Sequence, residues 1–110
     1  MRRAKIYYNE MIAGILTETN EGQYLFQYTK EYVTKYPGQF ITFSMPVTEH
    51  PYTENRLFPF FEGLIPEGWL LDIASKNWKI NPNDRMGLLL ACCQNCIGAV
   101  SVKPIPEEDE

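Results

Sequence analysis

The chain has 110 residues, room for one domain built around a single hydrophobic core. At 45% hydrophobic and 22% charged it has a globular composition, which excludes a disordered chain. Its formal charge is −4, and without the acidic run Glu107 to Glu110 ten acids face ten bases; that balance excludes autonomous nucleic-acid binding, which needs a basic patch.

The first half reads as strands. Lys5 to Tyr8 and Met11 to Thr17 flank Asn9-Glu10, and asparagine tolerates the left-handed backbone that a tight hairpin needs. A second reversal falls at Asn20-Glu21-Gly22. After it Tyr24, Phe26 and Tyr28 alternate with polar and aliphatic residues, so one face of a strand carries three aromatics. Thr29 is placed to cap a short helix over Lys30 to Tyr36, which Pro37-Gly38 stops. The spacing then predicts a strand over Phe40 to Met45 and an exposed loop over Val47 to Asn55.

The second half turns helical. Leu57, Phe58, Phe61, Leu64 and Ile65 recur at helical spacing until Pro66-Glu67-Gly68 breaks the run. A helix follows over Trp69 to Trp78. Another starts at Asn81-Pro82-Asn83-Asp84, with Asn81 as its expected cap, and continues through Met86 to Cys93. A closing strand is expected over Ala99 to Lys103. Strands first, helices second and a last strand make an α+β domain over residues 1–106, with 107–110 as an acidic tail. Phe58, Phe61 and Leu64, with several of Leu70, Ile73, Ala74, Leu88 and Leu89, form the expected helical side of the core.

Catalytic and metal chemistry find no footing. Cys93 and Cys96 have redox or zinc spacing, but Cys93 closes a helix, where the dipole disfavours thiolate. The lone His50 has no nucleophile at a recognisable elbow, and no phosphate-binding glycine motif is present. No cofactor, metal or catalytic residue is therefore expected. No apolar run approaches the ~20 residues that span a bilayer. The basic N-terminus leads into an alternating segment rather than a signal-peptide stretch. The three cysteines make no disulfide framework, and cytoplasm is the expected compartment. Seven Tyr, six Phe and two Trp exceed what so small a core can bury, so some are expected at a surface that a protein covers.

One stretch is specific enough to name a family. Leu57-Phe58-Pro59-Phe60-Phe61-Glu62-Gly63-Leu64-Ile65-Pro66-Glu67-Gly68 resembles the "pFFdnLLPeg" core of the HipA N-terminal domain, which precedes the kinase body in HipA-type serine/threonine-kinase toxins. Met11 to Leu16 is similar to the family's "vGxL" strand. Phe26, Tyr28 and Tyr32 match "FxYxxxYL", and Thr42-Phe43-Ser44-Met45-Pro46 matches "SLSLP". The run Gly87 to Val102 is similar to "fdLLxxiGxDcvGAvsl", departing from it at Cys92, Cys93 and Asn95. The resemblance implies a twisted, barrel-like antiparallel sheet with three to four helices packed against it.

It also implies a function. The phosphate-covering loop, catalytic Asp and metal-binding residues of those kinases lie beyond this domain, so the chain resembles the HipS-like antitoxin of a split system, which binds a shortened HipA-like kinase and holds it inactive. A DNA-binding antitoxin joins through the complex in that scheme. The alternatives are a structural N-terminal domain of a longer kinase, or a scaffold between kinase and DNA-binding protein. Met1 and the acidic end favour an independent gene product. The expected contact residues are Trp69, Glu67, Pro66 and Gly68. At about 100° per residue, Ile73, Leu70, Ala74, Trp78 and Leu71 form an apolar stripe that leaves Trp69 outside it, free to project as an interface anchor.

Overall fold

The computed structural model describes residues 2–65, 76–77, 79–92 and 99–106. Strands β1 (Arg2–Tyr8) and β2 (Met11–Glu18) pair antiparallel across the Asn9-Glu10 turn, where Asn9 takes φ 56. Ile6 faces Gly14 but Tyr7 faces Ile12, so Ala13 is an extra residue and forms a β-bulge. The Ala13 carbonyl accepts from Thr29 N–H at 2.9 Å, tying the bulge to the start of the first helix. The second reversal turns on Gly22 at φ 83 and leads into β3 (Tyr24–Tyr28). Gly14 permits a close approach there: a Cβ would meet the Gln27 carbonyl at 2.6 Å and the Phe26 ring at 2.7 Å.

Helix α1 (Lys30–Lys35) begins at Thr29, whose Oγ1 accepts the Tyr32 N–H at 3.2 Å. Two expectations then fail. Residues 40–45 are bends and turns rather than a strand, and Tyr52–Glu54, inside the expected loop, is strand β4 paired with β3. The buried Tyr28 hydroxyl takes the Ile41 N–H and the Met45 carbonyl, and the Tyr32 and Tyr52 hydroxyls take the carbonyls of flanking Gln39 and Pro46, so these groups bond side chains in place of a strand ladder. Helices α2 (Pro59–Glu62) and α3 (Arg85–Cys92) precede β5 (Val100–Ile105), which pairs with β1. The expected Trp69–Trp78 helix lies outside the described residues, apart from helical Lys76 and Asn77.

The five antiparallel strands are ordered β4-β3-β2-β1-β5. The sheet is open, with β4 and β5 as its edges, so the barrel-like closure is not found among the described residues. Pro104 sits within edge strand β5, where a missing N–H is tolerated. One sheet face supplies Ala4, Ile6, Leu16, Phe26, Tyr28 and Val102 to the core. Helices and loops supply Tyr32, Phe58, Phe61, Met86, Leu88 and Leu89. Of the expected helical core, Phe58, Phe61, Leu88 and Leu89 are buried and Leu64 is half-buried, while Leu70, Ile73 and Ala74 lie outside the described residues.

The cap of α3 is Asp84, three residues beyond the expected Asn81. Asp84 Oδ1 accepts the Gly87 N–H at 3.1 Å, while Asn81 Oδ1 closes an Asx turn onto Asn83 N–H at 2.9 Å. A long-range partner decides between the two. Arg2 donates to both Asp84 oxygens at 2.8 and 3.0 Å and to both Glu18 oxygens at 2.6 and 2.9 Å, clasping β1, β2 and α3 together. A second pair, Arg85 to Glu62 at 2.7 Å, joins α3 to α2.

Hydrogen bonding from Arg2 holds the Asp84 carboxyl below its ordinary value of 3.8. A carboxyl depressed on folding contributes stability that is fully present above the unfolded value and is lost as pH falls through the folded one. Asp84 is more than a third exposed, so its share is below about 1 kcal/mol. Urea midpoints are therefore expected to fall between pH 5 and 3 in roughly the carboxylate range, and Asp84→Asn should shrink that fall. An unchanged slope in Asp84→Asn would remove the clasp from the acid response.

Candidate partner-binding surface

The segment from Gln39 to Pro46 is fixed by three tyrosines from three different elements. Tyr28 on β3 donates its hydroxyl hydrogen to the Met45 carbonyl and accepts the Ile41 N–H at 3.1 Å. Tyr32 on α1 donates to the Gln39 carbonyl at 2.6 Å, and Tyr52 on β4 donates to the Pro46 carbonyl at 2.6 Å. Burial pushes the Tyr28 hydroxyl up to about 12, and it raises those of Tyr32 and Tyr52 as well, so all three stay protonated as donors near neutral pH. Ile41 and Met45 are drawn into the core by these bonds. The residues between them have nowhere to go but outward.

Phe43, between them, is accordingly 87% exposed; Phe40, just before Ile41, is 39% exposed, and the two rings meet edge-to-face at 5.5 Å. An aromatic pair held in solvent on a fixed loop is unusual for a lone domain, because burying such rings is worth more than leaving them wet. It is the form that an interface anchor takes: large area with little conformational entropy left to lose. Beside the loop lies a depression of about 220 Å³ lined by Ser44, Met45, Tyr52, Phe58 and Phe60. That depression connects the aromatic loop to α2, and α2 leads through buried Ile65 into the chain at Pro66.

The four residues expected to contact a partner, Pro66, Glu67, Gly68 and Trp69, lie outside the described residues. The aromatics that alternate along β3 are not at that surface. Phe26 and Tyr28 are buried in the core, and half-buried Tyr24 donates to Glu18 at 2.9 Å. Burial and that bond raise Tyr24 to about 12. The three share one face, as their period of two requires, but that face is the inner one.

A larger open groove, about 540 Å³, lies between the β1–β2 turn and α1 and is lined by Tyr7, Met11, Ile12, Tyr32 and Tyr36. At its rim Lys35 pairs with Glu31 at 3.0 Å. Among the described residues no three His, Cys, Asp or Glu side chains assemble to hold a metal ion. No helix among them is long and apolar enough to cross a membrane. Cys93 and Cys96 lie outside the described residues, and His50 is exposed in the loop before β4.

Comparison with known proteins agrees with this architecture. An uncharacterized protein of Haemophilus influenzae is 33% identical over 104 residues, covering 94% of this chain and 92% of that one. The solved N-terminal domain of HipA toxin superposes with a TM-score of 0.73 at 27% identity, covering 97% of this chain and 95% of that one. The family model for the HipA N-terminal domain matches residues 4–103, and the chain belongs to that family.

Proposed function

We propose that the chain is a non-catalytic regulatory protein that binds a HipA-like serine/threonine kinase and inhibits it, as an antitoxin. The carrying observation is the Phe40–Phe43 pair, displayed on a loop that three tyrosine hydroxyls hold in place. Family membership supports a kinase of the HipA type as the partner. In this reading the chain brings no catalytic group, and the kinase body supplies the nucleotide site.

Trp69 is the second anchor. A flat indole just after the Pro66-Glu67-Gly68 break, where the sequence predicts a helix start, has the shape to enter a nucleotide cleft or press on its flanking loop. Glu67 beside it pairs with a basic residue of the kinase. Blocking ATP entry, or holding the cleft in an inactive arrangement, then silences phosphoryl transfer.

The experiment mixes the chain with a HipA-like kinase that lacks this domain and measures affinity and autophosphorylation. Trp69→Ala is expected to weaken binding by about 2–4 kcal/mol and to restore kinase activity. Phe43→Ala should also weaken binding while the free chain melts unchanged, since that ring is almost wholly in solvent. A tight complex with full kinase activity would replace inhibition by scaffolding, in which the chain joins the kinase to a DNA-binding protein. Absence of any complex would sink both.

A further inference from the structure

The sheet has a second face, opposite the one that supplies the core. Register places Lys5 beside Ile15 on β2 and Lys103 on β5, and Ile15 in turn beside Gln27 on β3. One step along, Arg3 lies between Thr17 and Ile105, with Leu25 beyond Thr17. Lys5, Gln27 and Lys103 are exposed, and Ile15, Thr17, Leu25 and Ile105 are half-buried. The face is thus divided lengthwise: the three bases lie on β1 and β5, beside Ile105, and β2 and β3 carry only aliphatic and neutral residues. None of these positions holds an acid, in a chain whose formal charge is −4. The even balance of acids and bases outside Glu107 to Glu110 conceals this local basic strip.

Lys5 and Lys103 stand directly opposite each other. Like charges in that relation repel and lower the stability of the sheet. Lys103 leans its Nζ over the Tyr7 ring, 5.0 Å from the centroid, and Lys5 has no ion pair among the described residues. A carboxylate arriving from outside would satisfy both ammonium groups and relieve the repulsion. We propose that this face docks an amphipathic helix of a protein partner, one that carries acids along one flank and aliphatic side chains along the next. A helix about 10 Å wide, laid along strands spaced ~4.8 Å apart, sets its acidic flank over β1 and β5 and its apolar flank over β2 and β3.

The aliphatic half decides against nucleic acid. Ile15 and Leu25 offer nothing to a phosphate backbone, and so few bases on an acidic protein release too few counterions to bind it. They do fit the buried centre of a protein interface with charges at its rim. This docking does not depend on the aromatic loop or on the kinase reading, and its test needs neither.

The test is an amide chemical-shift titration of the intact chain with a capped synthetic helix carrying glutamates on one flank and leucines on the adjacent one. Shifts are expected on β1, β2, β3 and β5. Affinity should fall about tenfold in the double variant Lys5→Gln, Lys103→Gln. Neutralising Lys5 removes a repulsion, so that variant should melt no lower than the parent. Ile15→Thr, which keeps the β-branch, should weaken binding too. Shifts elsewhere only, equal binding of polyglutamate without leucines, or tighter binding of duplex DNA to this face would each overturn the proposal.

Discussion

Replacing Phe61 with alanine is expected to destabilise the domain by about 3–5 kcal/mol, a large share of what a domain of this size has. The ring is fully buried. It sits at the meeting point of sheet and helices, with Phe26 at 5.8 Å, Phe58 at 6.1 Å and Phe60 at 5.3 Å between centroids, two of these contacts edge-to-face. Truncation removes the aromatic contacts and leaves a cavity between β3 and α2. Helix α2 has four residues and cannot close that gap by shifting, since Arg85 holds Glu62 and Ile65 is buried just beyond it. Denaturant unfolding followed by circular dichroism reads the loss directly. A melting curve unchanged from the parent would mean that Phe61 lies outside the core.

The second large effect comes from a single oxygen. Tyr28→Phe keeps the ring and its stacking on Tyr32, but it removes the donor to the Met45 carbonyl and the acceptor of the Ile41 N–H. Both backbone groups are buried at these bonds. Leaving them unsatisfied costs about 1–3 kcal/mol each, for an expected total of about 2–6 kcal/mol. The more telling consequence is local. Without that oxygen the loop loses its centre pin, the Ile41 amide should exchange with solvent faster, and Phe43 should lose its fixed position. Kinase binding is then expected to weaken in a protein whose surface residues are all intact. If Tyr28→Phe loses stability while binding is unchanged, the loop is not the anchor.

What could be read from the sequence was what is local. Asn9, Gly22 and Thr29 each act within a few residues, through a left-handed backbone or a cap, and each stands where expected. The 40–45 segment misled because its alternation of apolar and polar residues is that of a strand. Its true shape is set by hydroxyls from positions 28, 32 and 52, which no local pattern reveals. Asn81, with Pro82 after it, is the cap that the local pattern favours; Arg2, remote in sequence, holds Asp84 in that place instead. Phe43 escaped notice for the same reason: an isolated phenylalanine in a strand-like run reads as core. The signal that could have found it was the surplus of tyrosines, since buried hydroxyls must bond something.

Strand β5 joins the open sheet beside β1, so strands far apart in the chain become neighbours. A chain emerging from the ribosome can fold β1, β2 and β3 as successive hairpins as soon as they appear. The outer edge of β1, however, stays bare until residue 105 is out, because its partner is made last. Joining segments so far apart adds a slow, non-local step to folding. For the whole of that interval the nascent protein exposes an unpaired strand, open to the wrong neighbour. Slow translation across residues 100–105 would prolong the exposure, so the yield of folded protein depends on how promptly β5 is delivered.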